Sequence, residues 1–169
     1  MFNIIAEYIS GADILDLFAG SGSLGVEALS RGARSAVFVD KSPECAKVIR
    51  ENLTHTKLMD KAVILTGDAS PTIKKLCGDS RKFDIIFLDP PYNKNFIGEI
   101  LKTIENNDII NRNGLVVAER DFIDDINKRY GRLELIRDQR YGDTVLSFFK
   151  ASGYSDAVEP DSEREGKST

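Results

Sequence analysis

The chain has 169 residues, 41% of them hydrophobic, and a net charge of -4, a size that suits one domain with a full-sized core. No apolar run is long enough to span a bilayer, and the start MFNIIAEYISG has neither a basic n-region nor a cleavage site, so a cytoplasmic protein is expected. The tail 151–169 carries five acids against two bases, a net of -3 that leaves -1 for residues 1–150; a body so close to neutral neither demands nor excludes a nucleic-acid partner.

Taken in order, apolar runs alternate with helical patterns. DILDLF reads as a strand, followed by a glycine loop and a helix through SLGVEALSRG that Gly32 should stop. SAVFVD is a second strand, and Ser42 with Pro43 supplies a cap and a first-turn proline for a helix over SPECAKVIRENLTHT. AVILTGD is a third strand, and Ser70 with Pro71 repeats the cap-plus-proline signal before TIKKLCG. FDIIFLD is a fourth strand, with a helix through FIGEILKTIENN after it. NGLVVAERD is a fifth strand, then a short helix is expected near DDINKRYG. LELIRDQRY and TVLSFFK flank Gly142-Asp143, a turn pair that predicts an antiparallel hairpin. The tail has few large apolar residues and reads as disordered.

Such alternation predicts an α/β fold with a mostly parallel sheet covered on both faces. Ligands of these sheets bind beyond the carboxyl ends of the strands, where strand order reverses. Asp16, Asp40, Asp68 and Asp89 all stand at predicted strand ends. The loop GSGSLG, from Gly20 to Gly25, matches GxGxxG, and Asp40 lies at the spacing of a ribose-binding acid, so a dinucleotide is one reading. Asp16 favours another, because a carboxylate beside the loop opposes a pyrophosphate and suits a ligand with a cationic amino-acid end, such as S-adenosylmethionine.

The fourth strand ends in Asp89, Pro90, Pro91 and Tyr92. An amino group conjugated to a base ring is a poor nucleophile, and methylating it requires acceptors that hold its hydrogens. The Asp89 carboxylate and the carbonyls of Asp89 and Pro90 are such acceptors, while the two prolines bring no N–H to oppose an incoming donor. Tyr92 offers a face for a flat base, and stacking of this kind contributes ~1–3 kcal/mol. A base paired inside a helix cannot reach such a cradle, so a flipped or single-stranded target is implied.

The segments DLFAGSGSLGVEALSRGA, VFVDKSPEC, DIIFLDPPYNK and YGDTVLSFF together resemble the RsmD-type family of small-subunit (16S) rRNA (guanine-N2)-methyltransferases, over a span from about Phe2 to Lys150. The resemblance implies a Rossmann-like class I methyltransferase fold over residues 1–150, with a mostly parallel seven-stranded sheet, S-adenosylmethionine as cofactor, and 16S rRNA or a small-subunit assembly particle as partner of a monomeric enzyme. On it, Asp16 and the loop Phe18, Ala19, Gly20, Ser21 and Gly22 line the methionine part of the cofactor. Asp40, with Lys41 beside it, holds the ribose, Asp68 with Ala69 borders the adenine, and Asp89 to Tyr92 holds the guanine amine. The family carries a basic arm ahead of the segment matching FNII, where this sequence starts; poor methylation of RNA by these residues alone is the matching expectation.

Other features point nowhere specific. Cys45 and Cys77 lack metal-like spacing and read as ordinary thiols, no metal site is expected, and His55 reads as a surface or capping residue. Lys94, just after the cradle, is a candidate phosphate contact, and Arg137 and Arg140 precede the hairpin turn near the same cleft. An amine methyltransferase leads. A methyltransferase for another amine or amide, a nicotinamide-dependent oxidoreductase and a non-catalytic binding module stay open.

Overall fold

The computed structural model describes residues 1–91 and 96–153. Tyr92, Lys94 and the acidic tail from residue 154 onward lie outside the described residues.

The parallel half forms from apolar runs that are buried on both faces. Strands β1 (Asp13–Asp16), β2 (Ser35–Asp40), β3 (Ala62–Thr66) and β4 (Phe83–Leu88) each precede a helix: α2 (Ser23–Ser30), α3 (Pro43–His55), α4 (Ala69–Gly78) and α5 (Phe96–Asn106). Before them stands a short helix α1 (Ala6–Ile9), which has no counterpart in the sequence-based expectations. After them come β5 (Ile110–Asp121), β6 (Arg129–Tyr130), β7 (Leu133–Tyr141) and β8 (Thr144–Ala151). The order β3-β2-β1-β4-β5-β8-β7-β6 makes one eight-stranded sheet, parallel from β3 to β5 and antiparallel beyond. The doubly wound class is as expected; the eighth strand is the two-residue β6.

Two expected elements differ. Helix α4 starts at Ala69 with Asp68 at the N-cap position and no side-chain cap, so Ser70 is inside the helix. Pro71 falls in the first turn, where its missing N–H removes no intrahelical bond. The helix near DDINKRYG is absent. Aspartates there bond to backbone instead: Asp121 N–H donates to Asp124 Oδ2 at 3.1 Å, and Ile123 N–H donates to Asp121 Oδ1 at 3.1 Å. Such local bonds offer the backbone an alternative to a helix. Tyr130 is buried and pairs with Leu133, which ends the segment as β6. Elsewhere the local signals hold: Ser42 Oγ accepts from Cys45 N–H at 3.4 Å, with Pro43 opening α3.

The core has two layers. Ile86, Leu88, Val116 and Ala118 face α4 and α5, whereas Ile85, Phe87, Leu115 and Val117 face α1, α2 and α3. The winding reverses between β1 and β4, which lie side by side with Asp16 paired to Phe87. That crevice is where ligands of open α/β sheets bind. No helix among the described residues is long and apolar enough to cross a membrane.

Candidate active site

A cavity of about 520 Å³ opens above the carboxyl ends of β1 to β4. Of the residues expected to hold a cofactor, Phe18, Gly20, Asp40, Lys41, Asp68 and Ala69 line it. Asp89 and Pro91 close one end. Pro90 and Ser21 do not line the cavity, and neither do the buried Asp16, Ala19 and Gly22.

The glycine loop owes its shape to positive φ at Gly20 (54°) and Gly22 (79°), a region costly for side chains. Three bonds pin it: Ala19 N–H donates to the Val39 carbonyl at 2.9 Å, Gly22 N–H to the Ala19 carbonyl at 2.7 Å, and Gly20 N–H to Asp40 Oδ2 at 2.9 Å. Asp40 Oδ1 accepts from Ser42 N–H at 2.9 Å. Each carboxylate oxygen has a second lone pair, so Asp40 can anchor the loop and still accept hydroxyl donors from the cavity.

Asp16 is buried beneath this loop. Its Oδ2 accepts from Gly25 N–H at 3.2 Å, while Oδ1 is buried without a partner among the described residues. Burial pushes its carboxyl up to about 7, with repulsion from Asp89 and Asp40 adding to the shift and the Gly25 bond opposing it. Contrast Asp13 at the other end of the same strand. It is ion-paired to Arg34, bonded to Ser35 at 2.7 Å, and held below its usual range chiefly by that arginine. The strand-start acid is neutralised within the fold, whereas the strand-end acid lacks a cation among the described residues.

Asp89 reaches solvent through the cavity mouth, yet the surrounding walls raise its carboxyl above the usual range, and no hydrogen bond or ion pair holds it among the described residues. An unpaired carboxylate with a raised pKa in a cleft marks a site prepared for a donor or a cation. Lining residues that the sequence reading missed are Leu17, Gly67, Ser70, Pro71 and Phe96. Leu17 and Gly67 stand between positions already singled out, while Phe96 reaches the site from α5, its ring 5.6 Å from that of Phe18 and edge-on to it. Arg137 bonds to Gln139 at 3.0 Å, and Arg140 lies 3.6 Å over the ring of exposed Phe122, so neither lines the cavity. His55 is an exposed residue at the end of α3, and no metal-binding group of acids, histidines and cysteines occurs among the described residues.

The arrangement can hold a ligand with hydroxyls at Asp40, a cation near Asp16 and a nitrogen donor at Asp89. Residues 1–150 match the family described as Conserved hypothetical protein 95. YlbH of Bacillus subtilis, provisionally named an rRNA methyltransferase, is 35% identical over 153 residues, which is 90% of this chain and 83% of that protein. Ribosomal RNA small subunit methyltransferase D of Haemophilus influenzae is 32% identical over 121 residues, 72% of this chain and 63% of its own length. Among solved structures, a conserved hypothetical protein of Streptococcus pyogenes superposes with a TM-score of 0.82 at 32% identity, covering 89% of this chain and 92% of that one. SMU.776, solved in complex with SAH, shares the fold at a TM-score of 0.74 and 16% identity, covering 88% of this chain and 48% of its own. The match over residues 1–150, with relatives that include ribosomal RNA methyltransferases, shows that the chain belongs to the conserved hypothetical protein 95 family, the RsmD family its motifs resemble.

Proposed function

We propose that this chain binds S-adenosylmethionine in the 520 Å³ cavity and methylates small-subunit rRNA, at the exocyclic N2 amine of a guanine, with residues 1–150 as the catalytic unit. The observation that carries the reading is Asp89, an unpartnered carboxylate at the rim of that cavity, followed by a residue pair with no N–H to offer. The cofactor supplies an electrophilic methyl group on a sulfonium. Fit to it rests on Asp16: its orphaned Oδ1 suits the α-ammonium, which would replace the missing partner. Asp40 accepts the ribose hydroxyls, Lys41 flanks them, and Asp68 with Ala69 borders the adenine.

Asp89 and the Pro90 carbonyl hold the hydrogens of the target amine and keep its lone pair aimed along the cavity. Held by Asp16, Asp40 and Asp68, the cofactor would supply that methyl group to the amine kept at Asp89, with the electrons of the carbon–sulfur bond staying on sulfur. The nitrogen then sheds one proton, for which Asp89 is the adjacent acceptor. Calorimetry with S-adenosylmethionine and NAD in parallel, followed by a methylation assay on small-subunit rRNA with the product base identified, tests the reading. Binding of NAD alone, or methylation of adenine, would overturn it.

Asp40→Ala should weaken cofactor binding about tenfold or more, since hydrogen bonds to charged groups contribute ~1.5–3 kcal/mol. The same change frees Gly20 N–H, so the melting temperature should fall as well. Unchanged affinity in a folded variant would remove Asp40 from the site.

Asp16 makes binding pH-dependent. Its carboxyl, pushed up to about 7, lies above the ordinary 3.8, so the apo fold loses stability as pH rises through that interval. An ammonium beside Oδ1 favours the ionised form, so cofactor binding should release a proton below pH 7 and tighten as pH climbs through it. Asp16→Asn should bind more weakly and flatten that profile between pH 6 and 8. A profile identical to the parent's would place the titrating group elsewhere.

A further inference from the structure

A second cavity, of about 310 Å³, lies on the other side of Asp89. Leu24, Phe87, Val117 and Leu146 supply its apolar wall, and Asp89 and Glu119 are its acids. The parallel register pairs Leu88 with Ala118, so Asp89, just past the end of β4, stands beside Glu119, which lies within β5. Among the described residues, Asp89 is the one that lines both this cavity and the cofactor cavity. An occupant of each would therefore meet at Asp89.

Glu119 is partly buried and has no hydrogen bond or ion pair among the described residues. Burial raises its carboxyl, and the charge of Asp89 raises it further. Neither acid is balanced by a cation among the described residues, and as carboxylates together they present acceptors only. Apolar walls with two neighbouring carboxylates suit a planar ring whose edge carries adjacent N–H donors. The Watson–Crick edge of guanine is such an edge, with N1–H beside the N2 amine. Adenine presents a lone pair at N1, which a carboxylate would repel.

Resting on the methyltransferase reading above, we infer that this second cavity receives the target base and that Glu119 is its specificity-determining residue, accepting the guanine N1–H while Asp89 holds the N2 amine. The volume, at the lower end of ligand pockets, admits a base with the sugar and phosphate outside. Glu119 thus selects guanine before any chemistry occurs, by leaving an unmet carboxylate against a base without N1–H.

The test uses the full chain saturated with SAH and titrated with guanosine, inosine and 2-aminopurine riboside, followed by NMR line broadening of the nucleoside protons. Inosine keeps N1–H and lacks the 2-amine; 2-aminopurine keeps the amine and lacks N1–H. The parent should prefer guanosine over both. Glu119→Gln should weaken guanosine about tenfold or more and improve 2-aminopurine riboside, because the Gln amide can donate to its bare N1, the kind of discrimination a hydrogen-bonding site provides. SAH affinity should stay within a few-fold, since Glu119 does not line the cofactor cavity. Glu119→Ala should lose guanosine without gaining 2-aminopurine riboside. A parent that binds SAH yet treats the three nucleosides alike, or a Gln variant with the parent's preferences, overturns the inference and leaves the methyltransferase reading intact. A large loss of SAH affinity in Glu119→Gln also overturns it, by giving the cavity to the cofactor's methionine end. Failure of the parent to bind SAH would overturn both.

Discussion

Asp89→Ala is expected to abolish methyl transfer while S-adenosylmethionine affinity stays within a few-fold of the parent. The carboxylate stands just past β4, at the boundary between the two cavities, and no residue of the described fold needs it as a partner. Its loss should therefore cost little stability. Removing it takes away one preorganised acceptor for the charge that develops on the amine. Donors with the mirror role in oxyanion holes contribute about 2.7–4 kcal/mol, a rate factor of about 10²–10³. Asp89→Asn keeps the shape and one acceptor oxygen, so partial activity is expected from Asn and almost none from Ala. Single-turnover transfer of a labelled methyl group, with calorimetry on the same samples, separates chemistry from binding. Equal rates for the two variants would make the side chain structural and leave the Pro90 carbonyl to hold the amine.

Gly25→Ala should damage the fold at the site's foundation. A Cβ at this position would lie 2.3 Å from Cε1 of Phe38, and Phe38 is fully buried on β2 with no empty side to turn to. Overpacking of this kind costs about 1–3 kcal/mol. Because Gly25 N–H is the bond to Asp16, any shift of α2 that relieves the clash stretches that 3.2 Å contact and moves the glycine loop. Urea unfolding should show the loss of stability. In the fraction that stays folded, cofactor affinity should fall further than in a control that trims the exposed surface of α2, such as Glu27→Ala. Parent-like stability would mean that Phe38 can repack. Phe38→Leu combined with Gly25→Ala should recover part of the loss, because it removes the ring atoms in conflict.

Much of this architecture was legible locally. SAVFVD and FDIIFL are apolar throughout, as strands buried on both faces must be, and they became β2 and β4. Ser42-Pro43 starts α3, and Gly142-Asp143 turns between β7 and β8. Ser70-Pro71 misled because a first-turn proline is tolerated at more than one position, and the end of β3 at Thr66 let the helix start two residues earlier, at Ala69. The segment after Asp121 misled because its helical spacing competes with aspartates that bond their own backbone, a contest decided by the burial of Tyr130.

The site divides along the same line. The sequence alone determined the strand-end acids Asp16, Asp40, Asp68 and Asp89, because the alternation of strand and helix fixes which end of each strand carries the loop. It also determined the glycines of the loop, since only their backbone freedom serves such a turn. Tertiary structure decided the rest. Asp16 was left off the cavity lining, since side chains of a strand alternate between faces and its own points under α2 toward Gly25. Glu119 was one acid beside Arg120 in LVVAERD until strand pairing set β5 against β4. Which strands become neighbours depends on contacts between segments far apart in the chain, and no local pattern carries that information; only the folded sheet puts Glu119 beside Asp89.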